Sequence, residues 1–150
     1  MKSITITELI TAVVALYGAV LSTVIFCNNR KKQARKVSIR ISTGFLTGNT
    51  ELSEQMLLIE VSNPSQKEIT LDPPFIVLPD RRNMIFPDIG SEVSFPASLS
   101  SGKSIHSWIP LNAVKQRLVE SGFTVRVKLK TSIRDQTGKT FRSRAFHIDL

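Results

Sequence analysis

This chain is poor in the residues that most often carry chemistry or cross-links. Its 150 residues include one cysteine, two histidines, one tryptophan and one tyrosine. A single cysteine excludes an intrachain disulfide. A metal site needs three or four converging ligands, and the histidine, cysteine and glutamate residues have no spacing that supplies them. We therefore expect no metal and no cofactor, and we place His106 and His147 on strand surfaces.

The motifs of known catalytic sites are also missing or incomplete. No serine lies in the Gly-x-Ser-x-Gly elbow of hydrolases, and Cys27 is far in sequence from either histidine. Two fragments, Ser101–Ser104 and Thr137–Thr140, contain the Gly-Lys-Ser/Thr end of a phosphate-binding P-loop. The first glycine of that loop is replaced by Ala97 in one and by Ile133 in the other. The sequence predicts a non-catalytic protein.

Charged residues are absent from Leu9–Cys27, and this gap is the most informative feature of the chain. Nineteen helical residues extend about 28 Å, close to the roughly 30 Å hydrocarbon core of a bilayer. Thr5 and Glu8 have the spacing of a capping box, and Ile4 and Leu9 have that of a hydrophobic staple. Residues 1–29 are therefore predicted to form a transmembrane anchor.

A cationic tether comes after the anchor at residues 30–36, and no acidic residue precedes Glu51 on that side. Because positively charged flanks stay in the cytoplasm, we expect the N-terminus outside the cell and the folded domain at the cytoplasmic face of the inner or plasma membrane. A cleaved signal peptide is the main alternative. Its apolar region is shorter and is followed by a small-x-small cleavage site, whereas no Ala-x-Ala motif precedes the cations here. A lipoprotein signal at Cys27 would need a small residue where Phe26 stands. The basic residues of the tether are Arg30, Lys31, Lys32, Arg35 and Lys36.

Small side chains form one stripe along the predicted anchor. They recur at helical spacing at Thr11, Ala15, Gly18 and Ser22. Such stripes let two helices approach closely in lipid, which indicates a homodimer or a partner helix. The alternative is that small residues are simply common in spanning helices.

Beyond Lys36 the apolar pattern changes from helical to alternating, as in half-buried strands. Gly44 and the segment Thr47–Thr50 are predicted to break the first strand. The predicted strands are Val37–Ile41, Met56–Val61, Ile69–Leu71, Phe75–Leu78, Met84–Phe86, Val93–Phe95, Ser104–Ile109, Phe123–Ile133 and Thr140–Leu150. Short strands at about 8–12-residue spacing favour an all-β antiparallel sandwich or barrel over residues 37–150.

One helix and a closing hairpin complete this pattern. Asn112 is a potential N-cap of the helix, and Gly122 is the expected end of it. In the last strand the apolar parity shifts by one residue, so we expect a β-bulge near Ala145. Trp108 is expected to pack against a neighbouring element.

Two turn motifs carry a family resemblance. The strand–Asn-Pro turn–strand element from Leu57 to Leu71 and the Asp-x-Thr-Gly-Lys turn at residues 135–139 resemble those of immunoglobulin-like and fibronectin-III-like domains. The whole chain resembles small prokaryotic single-pass membrane proteins that carry such a domain. It departs from antibody-type domains because the Cys…Trp…Cys core is absent. The resemblance implies an immunoglobulin-like sandwich and transfers no catalytic residue.

The net charge of +8 is unevenly distributed, and the last thirty residues are strongly basic. Alternation with Val125, Val127 and Leu129 predicts a cationic outer surface on the closing hairpin. Its members are Arg126, Lys128, Lys130, Arg142 and Arg144. Near an anionic leaflet each such cation contributes about 1 kcal/mol, as the tether cations do, so lipid headgroups are expected partners. The alternative is a solvated face that discourages edge-to-edge aggregation.

These patterns favour a membrane-tethered, non-catalytic interaction module that docks a protein partner at the cytoplasmic surface. Confinement to the membrane raises the local concentration of the module near its partner. The alternatives are an anionic lipid- or nucleic-acid-binding domain, an enzyme subunit whose active residues lie on a partner, and an extracytoplasmic envelope adaptor if the topology is reversed. The absence of outward aromatic residues among the hairpin cations argues against nucleic acid.

Overall fold

A computed structural model describes residues 5–47 and 52–150, except the side chains of residues 30–33, 52 and 53. In chain order the elements are α1 (Ile6–Gln33), β1 (Ser38–Thr47), β2 (Leu52–Ser62), β3 (Ile69–Leu71), β4 (Phe75–Val77), β5 (Asn83–Met84), β6 (Gly90–Ser91), β7 (Ala97–Leu99), β8 (Ser104–Pro110), α2 (Leu111–Glu120), β9 (Val127–Arg134), β10 (Thr140–Arg142) and β11 (Phe146–Ile148). The chain divides into two compact units, Met1–Ala34 and Arg35–Leu150. We call the second unit the β domain.

The first unit is one long helix with an apolar surface. Its segment Ile6–Asn29 has a mean hydropathy of 2.3 and is long enough to span a membrane; a signal sequence has the same properties. The predicted capping box is confirmed, since the Thr5 N–H donates to the Glu8 carboxylate at 2.8 Å. The staple involves Ile4, which lies outside the described residues. The helix continues to Gln33, so the first four residues of the predicted tether are helical.

The β domain is built from antiparallel sheets, as the alternating pattern predicts. One sheet has the strand order β1-β2-β8-β6, and a second has the order β10-β9-β4-β5. Strand β11 also pairs with β9. It pairs with the N-terminal part of β9, whereas β10 pairs with the C-terminal part. A short two-stranded sheet pairs β3 with β7. Every described pair is antiparallel, which is typical of short strands joined by tight turns.

The hydrophobic core is formed by one face of each sheet together with α2. Alternate residues of β2, from Leu57 to Val61, are almost fully buried, as are Leu129 and Ile133 of β9. Helix α2 adds Val114 and Leu118, which are fully buried. Each such side chain contributes about 1.5–3 kcal/mol through removal of apolar surface from water. The outward residues of the same strands, apart from Ser132, are left half-buried or exposed.

The first predicted strand break is wrong at Gly44. Strand β1 runs through this glycine to Thr47, with a register irregularity only between Phe45 and Thr47. The Leu58 side chain lies 3.0 Å from the place that a Gly44 Cβ would occupy. The glycine therefore accommodates a packed neighbour within the strand and does not end it. The predicted turn residues Gly48, Asn49 and Thr50 lie outside the described residues.

Helix α2 starts earlier than predicted and ends as predicted. Asn112 is not the N-cap, because β8 stays paired with β2 up to Pro110 and the helix begins at once with Leu111. At the other end Gly122 adopts a φ of +90°. The Gly122 and Phe123 N–H groups donate to the carbonyls of Val119 and Leu118, which forms a Schellman motif.

Two predicted strands are shorter or displaced. Residues 93–95 are not a strand; the pairing residues are β6 before them and β7 after them. The long strand predicted from Phe123 starts only at Val127, and Val125 is 72% exposed, so its apolar character does not reflect burial. Alternation of apolar and polar residues does not by itself show which of those residues have a neighbouring strand to pair with.

The predicted β-bulge is confirmed by the pairing register of β9. Arg142 faces Ser132, but Phe146 faces Leu129, so residues 143–145 contain one extra residue. The Ser143 hydroxyl accepts a hydrogen bond from the Thr131 N–H at 2.9 Å, and the Ser143 N–H donates to the Thr131 carbonyl. A serine side chain thus replaces the backbone acceptor that the bulge displaces.

The turn after β2 is organised by the buried side chain of Asn63. Its amide nitrogen donates to the carbonyls of Lys67 and Leu99 at 2.7 and 2.8 Å. Its carbonyl oxygen accepts from the Ser65 N–H at 3.0 Å, and its backbone pairs with Gly102 and Lys103. Because the bonds to Leu99 and Ser65 are buried, the Asn63 amide determines how the turn after β2 meets the segment that follows β7.

Candidate functional site

The outer face of the second sheet forms a groove of about 790 Å³. Ser132 of β9 lies between Phe75 of β4 and Arg142 of β10 in one cross-strand row. In the next row Lys130 of β9 faces Val77 of β4. Both rows line the groove, which we call the β9 groove. It combines an apolar wall from β4 with a basic wall from β9 and β10.

No acidic residue lines the β9 groove among the residues that the structure describes. Its cations are Arg81, Lys128, Lys130, Arg134 and Arg142, and all five are exposed. Lys128, Lys130 and Arg134 share one face of β9 because strand side chains alternate. Like charges this close repel one another, and an anion placed among them relieves that repulsion.

A tight turn places Arg81 at the rim of the β9 groove. Arg81 has a φ of +69°, in the left-handed region that few non-glycine residues adopt. The Asp80 carboxylate accepts from the Arg82 backbone N–H at 3.0 Å and from the Arg82 guanidinium at 2.7 Å. These bonds hold the pKa of Asp80 below its ordinary value. The carboxylate is therefore engaged with Arg82.

Two adjacent hydroxyl groups on β9 have no hydrogen-bond partner among the described residues. Thr131 and Ser132 are both fully buried, and both side-chain oxygens lack a partner. Alternation directs them to opposite faces, so Thr131 faces the core and Ser132 faces the β9 groove. A buried hydroxyl without a partner destabilises the fold, so the Ser132 oxygen is available to a ligand in the groove.

A second groove, of about 850 Å³, runs between the start of β1 and the bulged edge formed by β10 and β11. We call it the β1 groove. Strand β1 is at the end of its sheet and pairs, among the described strands, with β2 alone. The apolar lining includes Ile39, Ile41 and Phe141. The described cations along it are Arg35, Lys36, Arg40, Lys139, Arg142 and Arg144, with no acidic residue among the described lining.

Arg35 and Asp135 join the start of the β domain to the closing hairpin. The Arg35 guanidinium lies 3.4 Å from the Asp135 carboxylate and donates to the Thr137 hydroxyl at 2.9 Å. The Lys139 ammonium donates to the Arg35 carbonyl at 3.0 Å. Arg35, which is predicted to be one of the tether cations, is therefore engaged within the β domain.

The Asp135 carboxyl is also the organiser of its own turn. It accepts from the Thr137 N–H, the Thr137 hydroxyl and the Lys139 N–H at 2.9, 2.6 and 2.9 Å. Burial by itself raises the pKa of Asp135, but these hydrogen bonds and the charge of Arg35 together hold it below its ordinary value. Asp135 is therefore ionised at neutral pH.

The structure separates the five predicted hairpin cations. Lys128, Lys130 and Arg142 line the β9 groove. Arg144 lies within the bulge and lines only the β1 groove among the described cavities. Arg126 precedes β9 and lies 3.5 Å from the Asp149 carboxylate.

Ser132, Arg134 and Arg81 line the β9 groove but were not among the predicted site residues. Continued alternation along β9 adds Ser132 and Arg134 to the face of Lys130, and that signal was present in the sequence. Arg81 had no such signal, because its position depends on the turn between β4 and β5.

Within the first unit the predicted residues occupy one exposed helix. The stripe of Thr11, Ala15, Gly18 and Ser22 is exposed in the single chain. The Thr11 hydroxyl donates to the Thr7 carbonyl at 2.8 Å, which satisfies it within the helix. Arg30, Lys31 and Lys32 lie in the last turns of α1. Lys36 belongs to the β domain.

The remaining candidates are surface or packing residues. His106 is exposed on β8 and lies 3.1 Å from Glu92, and His147 is exposed on β11, so both are strand-surface residues as predicted. Trp108 packs against Gly90, where even one added methyl group would overlap the indole. Among residues 5–47 and 52–150, no three histidine, cysteine or acidic side chains are grouped as metal ligands.

Comparisons with known proteins add little to this geometry. No protein-family model and no curated protein sequence matches the chain. A crystal structure from Bordetella pertussis that carries the ApaA designation aligns with a TM-score of 0.36 and 7% identity, over 79% of this chain and 96% of that one. A structural genomics target designated SoR45 aligns with a TM-score of 0.34 and 10% identity, over 76% and 86% of the two chains. Likenesses this distant carry no argument about fold or function.

Proposed function

We propose that this protein is a membrane-tethered, non-catalytic interaction module. Helix α1 anchors it in the inner or plasma membrane, with the N-terminus outside and the β domain in the cytoplasm. The β domain is an immunoglobulin-like sandwich of the kind found in small prokaryotic single-pass proteins. Anchoring confines the domain to a surface and raises its encounter rate with other membrane-associated proteins.

The anchor assignment is supported by the composition on each side of α1. The apolar segment Ile6–Asn29 is long enough to cross a bilayer. Cations dominate its C-terminal flank, which favours retention of that flank in the cytoplasm. The main competing assignment is a signal sequence, which would release the β domain from the membrane.

The observation that carries the interaction role is the exposed edge of β1. Its residues Ser38–Ile41 line the β1 groove, and β1 pairs with β2 alone among the described strands. Unpaired backbone groups along an edge strand can pair with an extended segment of another protein. The cations of the groove select an acidic segment, because no acidic side chain among the described residues lines it.

Site-specific photocross-linking in intact cells tests this role with the full chain. A photoreactive residue at Ser38, which is exposed on β1 in the groove, is expected to give one discrete cross-linked protein. The same residue at Gln116, on α2, is the matched control and should give none. The pair Lys36→Glu and Arg144→Glu should remove most of the product, whereas Lys103→Glu and Lys115→Glu, with the same change in net charge, should not. Equal labelling from both positions would reject docking at β1.

Protease protection of a C-terminal tag tests the topology separately. The tag should resist protease in intact cells and be digested only after the membrane is permeabilised. A tag digested from outside would reverse the topology and make the protein an extracytoplasmic envelope adaptor. A mature chain that begins after Phe26 and is free of the membrane would contradict the anchor.

The β9 groove favours a second candidate function, the binding of an anionic lipid or nucleic acid. The specific observation is the group of five exposed cations without an acidic neighbour in the described lining. Both ligands would use phosphate contacts, which weaken as salt concentration rises. Replacing Lys128, Lys130 and Arg142 by Gln should therefore abolish salt-sensitive binding of the full chain to vesicles or oligonucleotides.

A further inference from the structure

We propose that the β9 groove contains a discrete site for a phosphate monoester with an attached apolar group, centred on the hydroxyl of Ser132. This inference rests on the second candidate function above and is independent of docking at β1. It narrows that function from general attraction of anions to one site with a defined donor. The phosphate is carried either by a lipid headgroup or by a small soluble molecule.

The Ser132 hydroxyl is the first observation that supports this site. It is fully buried, lines the groove and has no hydrogen-bond partner among the described residues. Its neighbour Thr131 differs, because Thr131 faces the core, where a methyl group can replace its oxygen. Ser132 faces a groove with room for a ligand, and a phosphate oxygen accepts readily from a hydroxyl.

The charges around Ser132 determine the ligand class. Arg142 is its direct cross-strand neighbour, and Lys130 and Arg134 lie two residues away on the same face of β9. A phosphate monoester carries about −1.5 to −2 charges at neutral pH and has three strong acceptor oxygens. It can therefore meet a guanidinium, an ammonium group and a hydroxyl at the same time. A carboxylate has fewer acceptors and less charge.

The opposite wall specifies what the phosphate is attached to. Phe75 is the other cross-strand neighbour of Ser132, and Val77 faces Lys130. Both are half-buried and belong to the groove lining. An apolar ring or chain on the ligand would cover them and gain hydrophobic stabilisation. Inorganic phosphate lacks that part and is expected to bind more weakly.

Arg142 controls access to the hydroxyl. The Ser132 side chain is fully buried although it lines the groove, and its cross-strand neighbour Arg142 is exposed, with a flexible side chain that can adopt several rotamers. A ligand phosphate attracts the guanidinium and bonds to it, and the hydroxyl beneath becomes reachable. The arginine is thus both a cover in the free protein and a ligand contact in the complex.

The test measures binding to the full chain in non-ionic detergent micelles by calorimetry. The probes are phenyl phosphate, inorganic phosphate and phenyl sulfate, and a second arm uses phosphatidylcholine vesicles with and without phosphatidylinositol 4-phosphate. We expect phenyl phosphate to bind more tightly than either of the other small anions. Soluble phenyl phosphate that competes with the vesicles identifies one shared site. Binding only to the phosphoinositide vesicles, still weakened by Ser132→Ala, identifies a lipid headgroup as the source.

Single substitutions distinguish a site with defined ligand contacts from non-specific attraction of anions to the cations. Ser132→Ala should weaken phenyl phosphate about tenfold or more, as expected for a lost hydrogen bond to a charged group. It should not lower thermal stability, because the removed hydroxyl has no partner among the described residues. Thr131→Val removes the adjacent hydroxyl and should leave binding unchanged. Arg142→Gln should weaken binding, whereas Arg144→Gln, within the bulge and outside the lining of the β9 groove, should not.

The outcomes distinguish this proposal from the function on which it rests. Equal binding of sulfate and phosphate with no effect of Ser132→Ala would overturn the discrete site and leave salt-sensitive anion binding intact. No binding to any anion or vesicle would overturn both. Loss of stability in Ser132→Ala would also contradict the proposal, because it would show that the hydroxyl has a structural partner.

Discussion

The turns at Asn63 and at Asp135 are both organised by the hydrogen bonds of one side chain, but the Asn63 side chain is neutral and the Asp135 side chain is charged. In each, one buried polar side chain bonds several backbone groups around a turn. Asn63 is neutral and joins two loops of the β domain that are distant in sequence. Asp135 is ionised, organises its own hairpin turn and also holds Arg35. Two turns with similar hydrogen bonding can therefore respond differently to pH and salt.

The largest expected effect is that of Asn63→Ala. This change leaves the Leu99 carbonyl and the Ser65 N–H without the Asn63 side chain in buried hydrogen bonds, and it removes one of the two donors to the Lys67 carbonyl. We expect the free energy of unfolding to fall by about 3 kcal/mol, since each orphaned buried group is costly. Chemical denaturation in non-ionic detergent at pH 5 and pH 8 measures it. The loss should be the same at both values, because the amide does not titrate.

The matched control for that variant is Asn112→Ala. Asn112 is exposed and lies inside α2, where it is not the cap. Its replacement should change stability by no more than about 0.5 kcal/mol. A small effect at Asn63 as well would show that the buried amide does not organise the two loops.

An intermediate effect is expected for Asp135→Asn. The amide oxygen can still accept from Thr137 and Lys139, but the negative charge that strengthens these bonds and attracts Arg35 is lost. We expect a loss of about 2 kcal/mol at pH 7, in the range of hydrogen bonds to charged groups. Thermal unfolding of both proteins across a pH series checks the value.

The pH dependence of that effect has a definite sign. The folded-state pKa of Asp135 lies below its ordinary value, so its stabilisation is fully present above pH of about 4. The stabilisation is lost as the pH falls through the lower, folded-state pKa. The stability difference between Asp135→Asn and the natural chain should therefore disappear in strong acid. A stability difference that does not change with pH would mean that Asp135 is not ionised in the folded domain.

The smallest effect is expected for Arg35→Gln. The Arg35 side chain is 39% exposed, and its ion pair spans 3.4 Å, so solvent screens much of the attraction. We expect a loss below about 1 kcal/mol, and the loss should shrink further at high salt. Arg126→Gln, which breaks a pair exposed on both sides, is the control and should change stability even less. A larger effect at Arg35 would show that its bond to Thr137 dominates the turn.

The local features of the fold were the most predictable from sequence. The capping box at Thr5, the helix end at Gly122 and the bulge before Phe146 depend on a few neighbouring residues, and all three are confirmed. The errors at Gly44 and Asn112 have different causes. Pairing with β2 extends β1 through Gly44, beyond the point where local propensity would end it. Helix α2 begins directly where β8 ends, so Pro110 and not Asn112 is the residue before the helix.

The candidate site was predictable only in part. Alternation places Lys128 and Lys130 on one face, and it would also have placed Arg134 there. The bulge separates Arg142 from Arg144, and the depth of each groove depends on which strands lie beside β9 and β1. The sequence places Arg35 among the tether cations and gives no sign of its ion pair, because Asp135 comes close to it only through the fold of the closing hairpin.

Local patterns in the chain were enough to specify the apolar helix, the antiparallel β character of the residues after it and the polar turns between strands. These features depend on periodicity and turn chemistry, which act over a few residues. The burial of a serine hydroxyl among cations and the open edge of β1 depend instead on how the strands assemble. Such features come from cross-strand neighbours far apart in the chain, and no local pattern specifies which strands become neighbours.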